Sequence, residues 1–121
     1  MNAVNKAINE PIYDLLDRGG KRWRPALGLI MARCLGRTDL EDFEKNKDIY
    51  YSCGLAEIVH NGSLMIDDIQ DGSEKRRGEP CTYKKFGVDI AINAGNFMYF
   101  GPILQLYNYI PKDKQLACHQ I

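Results

Sequence analysis

The chain has 121 residues, 45% hydrophobic and 26% charged, with sixteen basic residues cancelled by sixteen acidic ones. Such a composition suits one small globular domain and excludes a disordered chain. The balanced charge points to neither a nucleic-acid nor a membrane partner.

No apolar run approaches the roughly 20 residues that cross a bilayer. The N-terminus, Met1-Asn2-Ala3-Val4-Asn5-Lys6, lacks a signal-peptide core. A cytoplasmic, reducing compartment is the expectation. Cys34, Cys53, Cys81 and Cys118 form no Cys-x-x-Cys pair and are expected as four reduced thiols.

The first predicted helix covers about Ala3 to Asp17, with Val4, Ile8, Ile12, Leu15 and Leu16 on its apolar face. Pro11 interrupts it, and Gly19-Gly20 ends it. A second helix is predicted from Pro25 to Leu35, with proline in the first turn and Gly36 as the stop. Thr38-x-x-Glu41 reads as a capping box that opens a longer third helix. Along it Tyr51, Leu55, Ile58, Gly62, Met65 and Ile69 recur at steps of four and three and should face the core.

A polar loop follows from Gly72 to about Tyr83. Another long helix is predicted from Lys85 or Val88 to Tyr109, kinked at Gly101-Pro102, and Pro111 starts the last segment. No run alternates with the period of a strand. The predicted class is all-α.

Three clusters carry chemistry. The first is Met65-Ile66-Asp67-Asp68-Ile69-Gln70-Asp71. On a helix Asp67 and Asp71 stand one turn apart on one face, and Asp68 lies about 100° around. Ser63, His60 and Glu57 continue that face backwards. The carboxylates repel one another and sit at a helix C-terminus, which disfavours anions by roughly 0.3–1 kcal/mol each. A magnesium ion would offset this, since it takes carboxylate, water and phosphate oxygens. A solvated acidic helix end is the competing reading. An EF-hand fits poorly, because the third and twelfth loop positions would be Ile69 and Gly78.

The second cluster, Gly19-Gly20-Lys21-Arg22-Trp23-Arg24-Pro25, sets three cations on a glycine turn at a helix entrance. That suits a diphosphate in outline, but taken alone the stretch favours a solvated basic turn, and the Walker spacing is missing. The third, Lys75-Arg76-Arg77-Gly78, follows the aspartates directly. Paired arginines there suit a second phosphate group, against the alternative of a surface charge run balanced by Glu74 and Glu79. His60 reads as either a ligand contact or a satisfied core histidine. Asn61-Gly62-Ser63 matches a glycosylation acceptor but falls inside a helix with no secretory signal.

Taken in order, these blocks, with His60-Asn61-Gly62-Ser63-Leu64 before the aspartates, Arg76-Arg77-Gly78-Glu79-Pro80 after them, then Tyr83-Lys84-Lys85-Phe86-Gly87 and Asn93-Ala94-Gly95-Asn96, resemble the trans-isoprenyl diphosphate synthase (polyprenyl synthetase) family. The resemblance implies the N-terminal part of a helical bundle around a central cavity. It implies condensation of isopentenyl diphosphate with an allylic diphosphate. Lys21, Arg24 and His60 would hold isopentenyl diphosphate, with Arg77 assisting. Arg76 would hold the allylic diphosphate, and Asp67, Asp68 and Asp71 would bind bridging Mg2+. Ser63 and Gly62, four and five residues before the first aspartate, would form the floor of the chain-length pocket. Their small size favours a product longer than farnesyl, with geranylgeranyl diphosphate expected. A terpene cyclase shares an aspartate-rich motif but not the glycine–lysine–arginine block.

Family members are longer and carry a second aspartate-rich motif; here Asp89 and Asp113 are isolated. Residues 1–121 are therefore expected to be a single, incomplete synthase domain, a piece of an active enzyme. The alternatives are a non-catalytic partner that associates with a full-length synthase and adjusts product length, or a degenerate remnant. A homo-oligomer, or a hetero-oligomer with a synthase subunit, is expected, because a missing cavity wall should expose an apolar face. The site reading requires Asp67 and Asp71 to share a hollow with Lys21, Arg24 and Arg76.

Overall fold

The computed structural model describes residues 2–119, and the side chains of 116–119, Cys118 among them, lie outside the described ones. The first helical stretch opens with a π-helical segment, Asn5–Asn9, and continues as α1, Glu10–Asp17. Pro11 lies in the first turn of α1 and lacks the amide that an α-helical ladder would need, so the widened turn falls just before it. Gly19 (φ +80°) and Gly20 (φ +151°) then turn the chain.

Helix α2 spans Trp23–Cys34, beginning two residues earlier than predicted. It buries no side chain fully and lies across α3. The contact is close, since a Cβ built on Gly28 would stand 2.6 Å from the Cys53 Sγ.

The predicted capping box is overturned. Helix α3 starts at Lys47, six residues after Glu41, and runs to Gln70. Glu41 pairs instead with Arg33 of α2 at 2.5 Å. The connection is organised by buried Asn46, whose amide donates to the carbonyls of Asp39 (2.8 Å) and Asp42 (2.9 Å). One buried amide satisfying two loop carbonyls outweighs a local capping preference of about 1 kcal/mol.

The polar loop is also more ordered than its composition predicts. Strands β1, Lys75–Arg76, and β2, Glu79–Pro80, pair antiparallel, with Arg76 opposite Glu79. Arg77 (φ +55°) and Gly78 (φ +85°) make the two-residue turn, both left-handed, as a hairpin of this length requires. A short helix α4, Thr82–Phe86, leads into α5, Val88–Leu106, which runs through Pro102, and α6 spans Lys112–His119. Apart from the hairpin the regular elements among the described residues are helices, so the all-α class stands.

The core joins α1, α3 and α5: Ile12 and Leu15 meet Met65, Ala94 and Met98. Burying Met65 or Met98 contributes about 1.5–3 kcal/mol each. The outer side of α2 is uncovered, with Leu27, Ile30, Met31 and Leu35 exposed, as are Phe97, Phe100 and Leu104 of α5. No helix among the described residues is long and apolar enough to cross a membrane. Cys34, Cys53 and Cys81 are free thiols.

Candidate diphosphate and metal site

The three aspartates at the end of α3 have different surroundings. Asp68 is buried, and Arg76 grips it through Nε to Oδ1 (3.0 Å) and Oδ2 (3.2 Å) and through Nη2 to Oδ1 (2.6 Å). The hydrogen bond to Asp68 pushes the Arg76 pKa up against the opposing effect of burial. The Cys81 thiol lies on the same carboxylate, and burial followed by that hydrogen bond pushes its pKa up. Asp67 faces solvent, with its side chain 53% exposed and its Oδ2 3.5 Å from Arg76 Nη2. Asp71 is exposed and has no side-chain partner among the described residues.

Among the described residues no three His, Cys, Asp or Glu side chains converge as a metal cage. The donor set nevertheless fits magnesium. Two solvent-facing carboxylates one helical turn apart, completed by water and phosphate oxygens, are what this ion takes when it is shared with a phosphorylated substrate. Both Asp68 oxygens are engaged by Arg76, whereas Asp67 and Asp71 present their carboxylates to solvent.

The two hairpin arginines diverge. Arg76 turns toward the aspartates. Arg77 turns toward α1 and the middle of α3, donating through Nη2 to the Asn61 side-chain oxygen (2.8 Å) and through Nη1 to the Leu15 carbonyl (3.3 Å). A Cβ on Gly20 would lie 3.1 Å from the Arg77 guanidinium, so the glycine is what lets the basic turn approach. Burial, then the nearby cations Arg76, Arg22 and Arg18, lower the Arg77 pKa, with Glu57 opposing them. Neither arginine pairs with Glu74, which goes to Lys84 at 2.8 Å.

Further back along α3, Glu57 stands beside Arg24 of the basic cluster. Arg24 packs over the Trp23 ring at 4.8 Å, and its Nη1 stands 4.0 Å from Glu57 Oε2. That oxygen is buried and accepts no hydrogen bond. At 4.0 Å the contact with Arg24 is one of charge rather than a hydrogen bond. Glu57 Oε1 accepts from Asn61 at 3.3 Å. His60 is half-buried; burial first, then the positive charge of Arg24, Arg77 and Arg76, depresses its pKa despite Glu57. The ring is thus neutral near pH 7. Lys21 is exposed and makes no ion pair or side-chain hydrogen bond among the described residues.

Two hollows flank α3 here. A cleft of ≈ 300 Å³ is lined by Gly19, Arg22, Arg77, Asn61 and Glu57. A groove of ≈ 420 Å³ is lined by Ser63, Leu64, Ile66, Asp67, Gln70 and Tyr99. Asp67 and Arg77 thus line different hollows, rather than the single one expected for Asp67, Asp71, Lys21, Arg24 and Arg76. Ser63 lies in the groove below Asp67, its hydroxyl donating to the His60 carbonyl at 2.7 Å. Gly62 does not lie there. It faces α5, where an added Cβ would meet the Gly95 carbonyl oxygen and the Met98 Cβ, each at 2.9 Å. At Gly62 the α3 and α5 backbones come close, so the absence of a side chain there serves the helix crossing.

Sequence reasoning passed over Asp14, Arg18 and Lys85. Asp14 pairs with both cations, and Arg18 Nη1 donates to the carbonyls of Arg76 (3.1 Å) and Pro80 (2.9 Å). Burial alone would raise the Asp14 pKa; the hydrogen bonds from Lys85 and Arg18 outweigh it and hold the group below its ordinary value. The spacing of Asp14 and Arg18, four apart on a helix, is a visible signal for their pairing. Nothing in the sequence marks the bonds to the hairpin backbone.

The chain is similar to known proteins over part or most of its length. It is 40% identical to a geranylgeranyl pyrophosphate synthase of Geoglobus acetivorans over 78% of this chain and 32% of that protein. It is 31% identical to the octaprenyl diphosphate synthase of Escherichia coli (strain K12) over 82% of this chain and 28% of that protein. A crystal structure of a geranylgeranyl pyrophosphate synthase superposes with a TM-score of 0.82 at 31% identity, covering 99% of this chain and 34% of that one. The chain thus spans about a third of the length of these relatives. The Polyprenyl synthetase family pattern matches residues 5–121, almost the whole of it. With that match laid over a helical fold, the chain belongs to the polyprenyl synthetase family.

Proposed function

We propose that this chain supplies the diphosphate- and metal-holding part of a prenyltransferase that joins isopentenyl diphosphate to an allylic diphosphate. The observation that carries this reading is the placement of the hairpin: Arg76 stands 3.5 Å from Asp67, while Arg77 reaches the glycine turn before Lys21 and Arg24.

Asp67 and Asp71 would hold magnesium. When bound, the ion supplies a Lewis acid that neutralises charge on the departing diphosphate. Asp68 keeps the Arg76 guanidinium aimed at the same rim. Arg76 stabilises the negative charge that grows as the allylic carbon–oxygen bond breaks. Arg24, Lys21 and Arg77 hold the second diphosphate, and neutral His60 donates a hydrogen bond without adding charge. The double bond of isopentenyl diphosphate then attacks the allylic cation, and proton loss leaves a chain longer by five carbons. Side-by-side binding is itself a large part of the acceleration. Ser63, small and set below Asp67 in the open groove, supports a product of geranylgeranyl length.

A second reading, a subunit that associates with a longer synthase and shifts its product, is favoured by the exposed Leu27, Ile30 and Met31 on α2 and Leu35 just after it. One assay separates the two. The chain is incubated with labelled isopentenyl diphosphate, farnesyl diphosphate and magnesium, alone and mixed with a full-length family member. Prenyl product from the chain alone supports the enzyme reading; product altered only on mixing supports the subunit. Failure to bind inorganic pyrophosphate in titration calorimetry, with or without magnesium, sinks the enzyme reading, and an unchanged product on mixing sinks the subunit reading.

A further inference from the structure

The hairpin that carries Arg76 and Arg77 has little to hold it by itself. Its ladder is two residues long on each side, and an isolated ribbon of that size does not keep its shape in water. Its turn puts Arg77 in the left-handed region, at φ +55°, which disfavours any residue bearing a Cβ. Some contact from outside must therefore hold the turn.

Arg18, at the end of α1, makes that contact. Its Nη1 donates to one carbonyl on each strand, Arg76 at 3.1 Å and Pro80 at 2.9 Å. Its Nε donates to the Asp14 carbonyl at 3.1 Å, and its Nη2 pairs with the Asp14 carboxylate, which also receives Lys85. The side chain is 6% exposed. All three guanidinium nitrogens are committed to the protein, so Arg18 is placed to orient rather than to bind.

We propose that Arg18 is the positioning residue of the two hairpin arginines, clamping both strands onto α1 so that Arg76 meets Asp68 and Arg77 meets Asn61. This rests on the reading of Arg76 and Arg77 as diphosphate ligands. A planar fork is needed, because one group must reach two carbonyls and a carboxylate at once. Lysine, with a single ammonium, satisfies only part of the set.

The test compares Arg18→Gln, Arg18→Lys and the charge-matched control Arg33→Gln with the parent chain. Hydrogen exchange is followed at the amides of residues 75–79 and 81, and inorganic pyrophosphate with magnesium is titrated calorimetrically. In Arg18→Gln the hairpin amides should exchange at least about tenfold faster while those of α3 and α5 keep their protection. Pyrophosphate affinity should fall about tenfold, with partial recovery in Arg18→Lys and no change in Arg33→Gln. Parental hairpin exchange in Arg18→Gln overturns the proposal, as does a loosened hairpin with parental affinity. If the parent chain takes up no pyrophosphate, the diphosphate reading falls, and hairpin exchange alone decides the clamp.

Discussion

Replacing Asp68 by asparagine should separate stability from ligand binding at the aspartate cluster. Asp68 has a side chain 2% exposed and Arg76 one 27% exposed, joined by three nitrogen–oxygen contacts of 2.6–3.2 Å. Asparagine keeps one acceptor but removes the charge and turns an amide donor toward guanidinium donors. Breaking a fully buried pair costs roughly 3–5 kcal/mol, and losing hydrogen bonds to a charged group costs about 1.5–3. Arg76 is a quarter exposed and keeps Asp67 nearby, so its guanidinium recovers some solvation and the lower range applies. The expected loss is about 2 kcal/mol. With a urea slope of roughly 1–2 kcal/mol/M, the midpoint should fall by about 1–2 M. The assay is urea unfolding followed by helical circular dichroism, run with Asp68→Asn, Arg76→Gln and the double variant. Coupling between the two should exceed about 1 kcal/mol. By contrast Asp67→Asn and Asp71→Asn, at exposed positions, should leave the midpoint within about 0.5 kcal/mol of the parent while abolishing magnesium-dependent pyrophosphate binding. Equal stability losses at all three aspartates, or additive effects of Asp68→Asn and Arg76→Gln, would refute the division of labour.

Other outcomes follow from the same geometry. Gly62→Leu should destabilise the chain by about 1–3 kcal/mol or more, since its Cβ would press on a backbone carbonyl of α5, whereas Ser63→Leu should cost little and narrow the groove below Asp67; thermal melts of the two variants decide this. His60 has a folded pKa below its ordinary 6.5, so the native state binds fewer protons than the unfolded one and its contribution is complete above 6.5. Stability should therefore decline as pH drops from 6.5 through the depressed value, and His60→Gln should flatten that limb of a pH series of urea midpoints. Alkylation of the native chain by iodoacetamide, read by peptide mass spectrometry, should modify exposed Cys34 first and Cys81 last, because Cys81 is buried and its thiol is pushed up by burial and by Asp68. Early labelling of Cys81 would mean the hairpin opens readily.

Periodicity and punctuation carried the helices: Val4 to Leu16, Pro25 to Gly36 and the stripe through Met65 are local signals, and each helix appears near its expected place. Thr38-x-x-Glu41 misled, because a capping box is a short-range preference and Asn46 offered the loop stronger partners. The hairpin was hidden because two residues a side show no alternation, although the Arg77-Gly78 turn was there to be read. Gly62 illustrates the same limit. Its small size is visible in the sequence, but whether smallness leaves a pocket open or lets two backbones meet depends on which helix lies opposite.

The order of basic turn, aspartates and paired arginines along the chain, and the helical spacing that sets Asp67 and Asp71 on one face, are properties of the sequence alone. They follow from covalent connectivity and a turn of 3.6 residues. Only the tertiary structure assigned Asp68 to Arg76, turned Arg77 toward Gly20 and set Arg18 beneath the hairpin. Those contacts join residues far apart in sequence, and their partners were chosen by burial: a charge or donor removed from water takes whatever satisfying group the packed helices bring within reach.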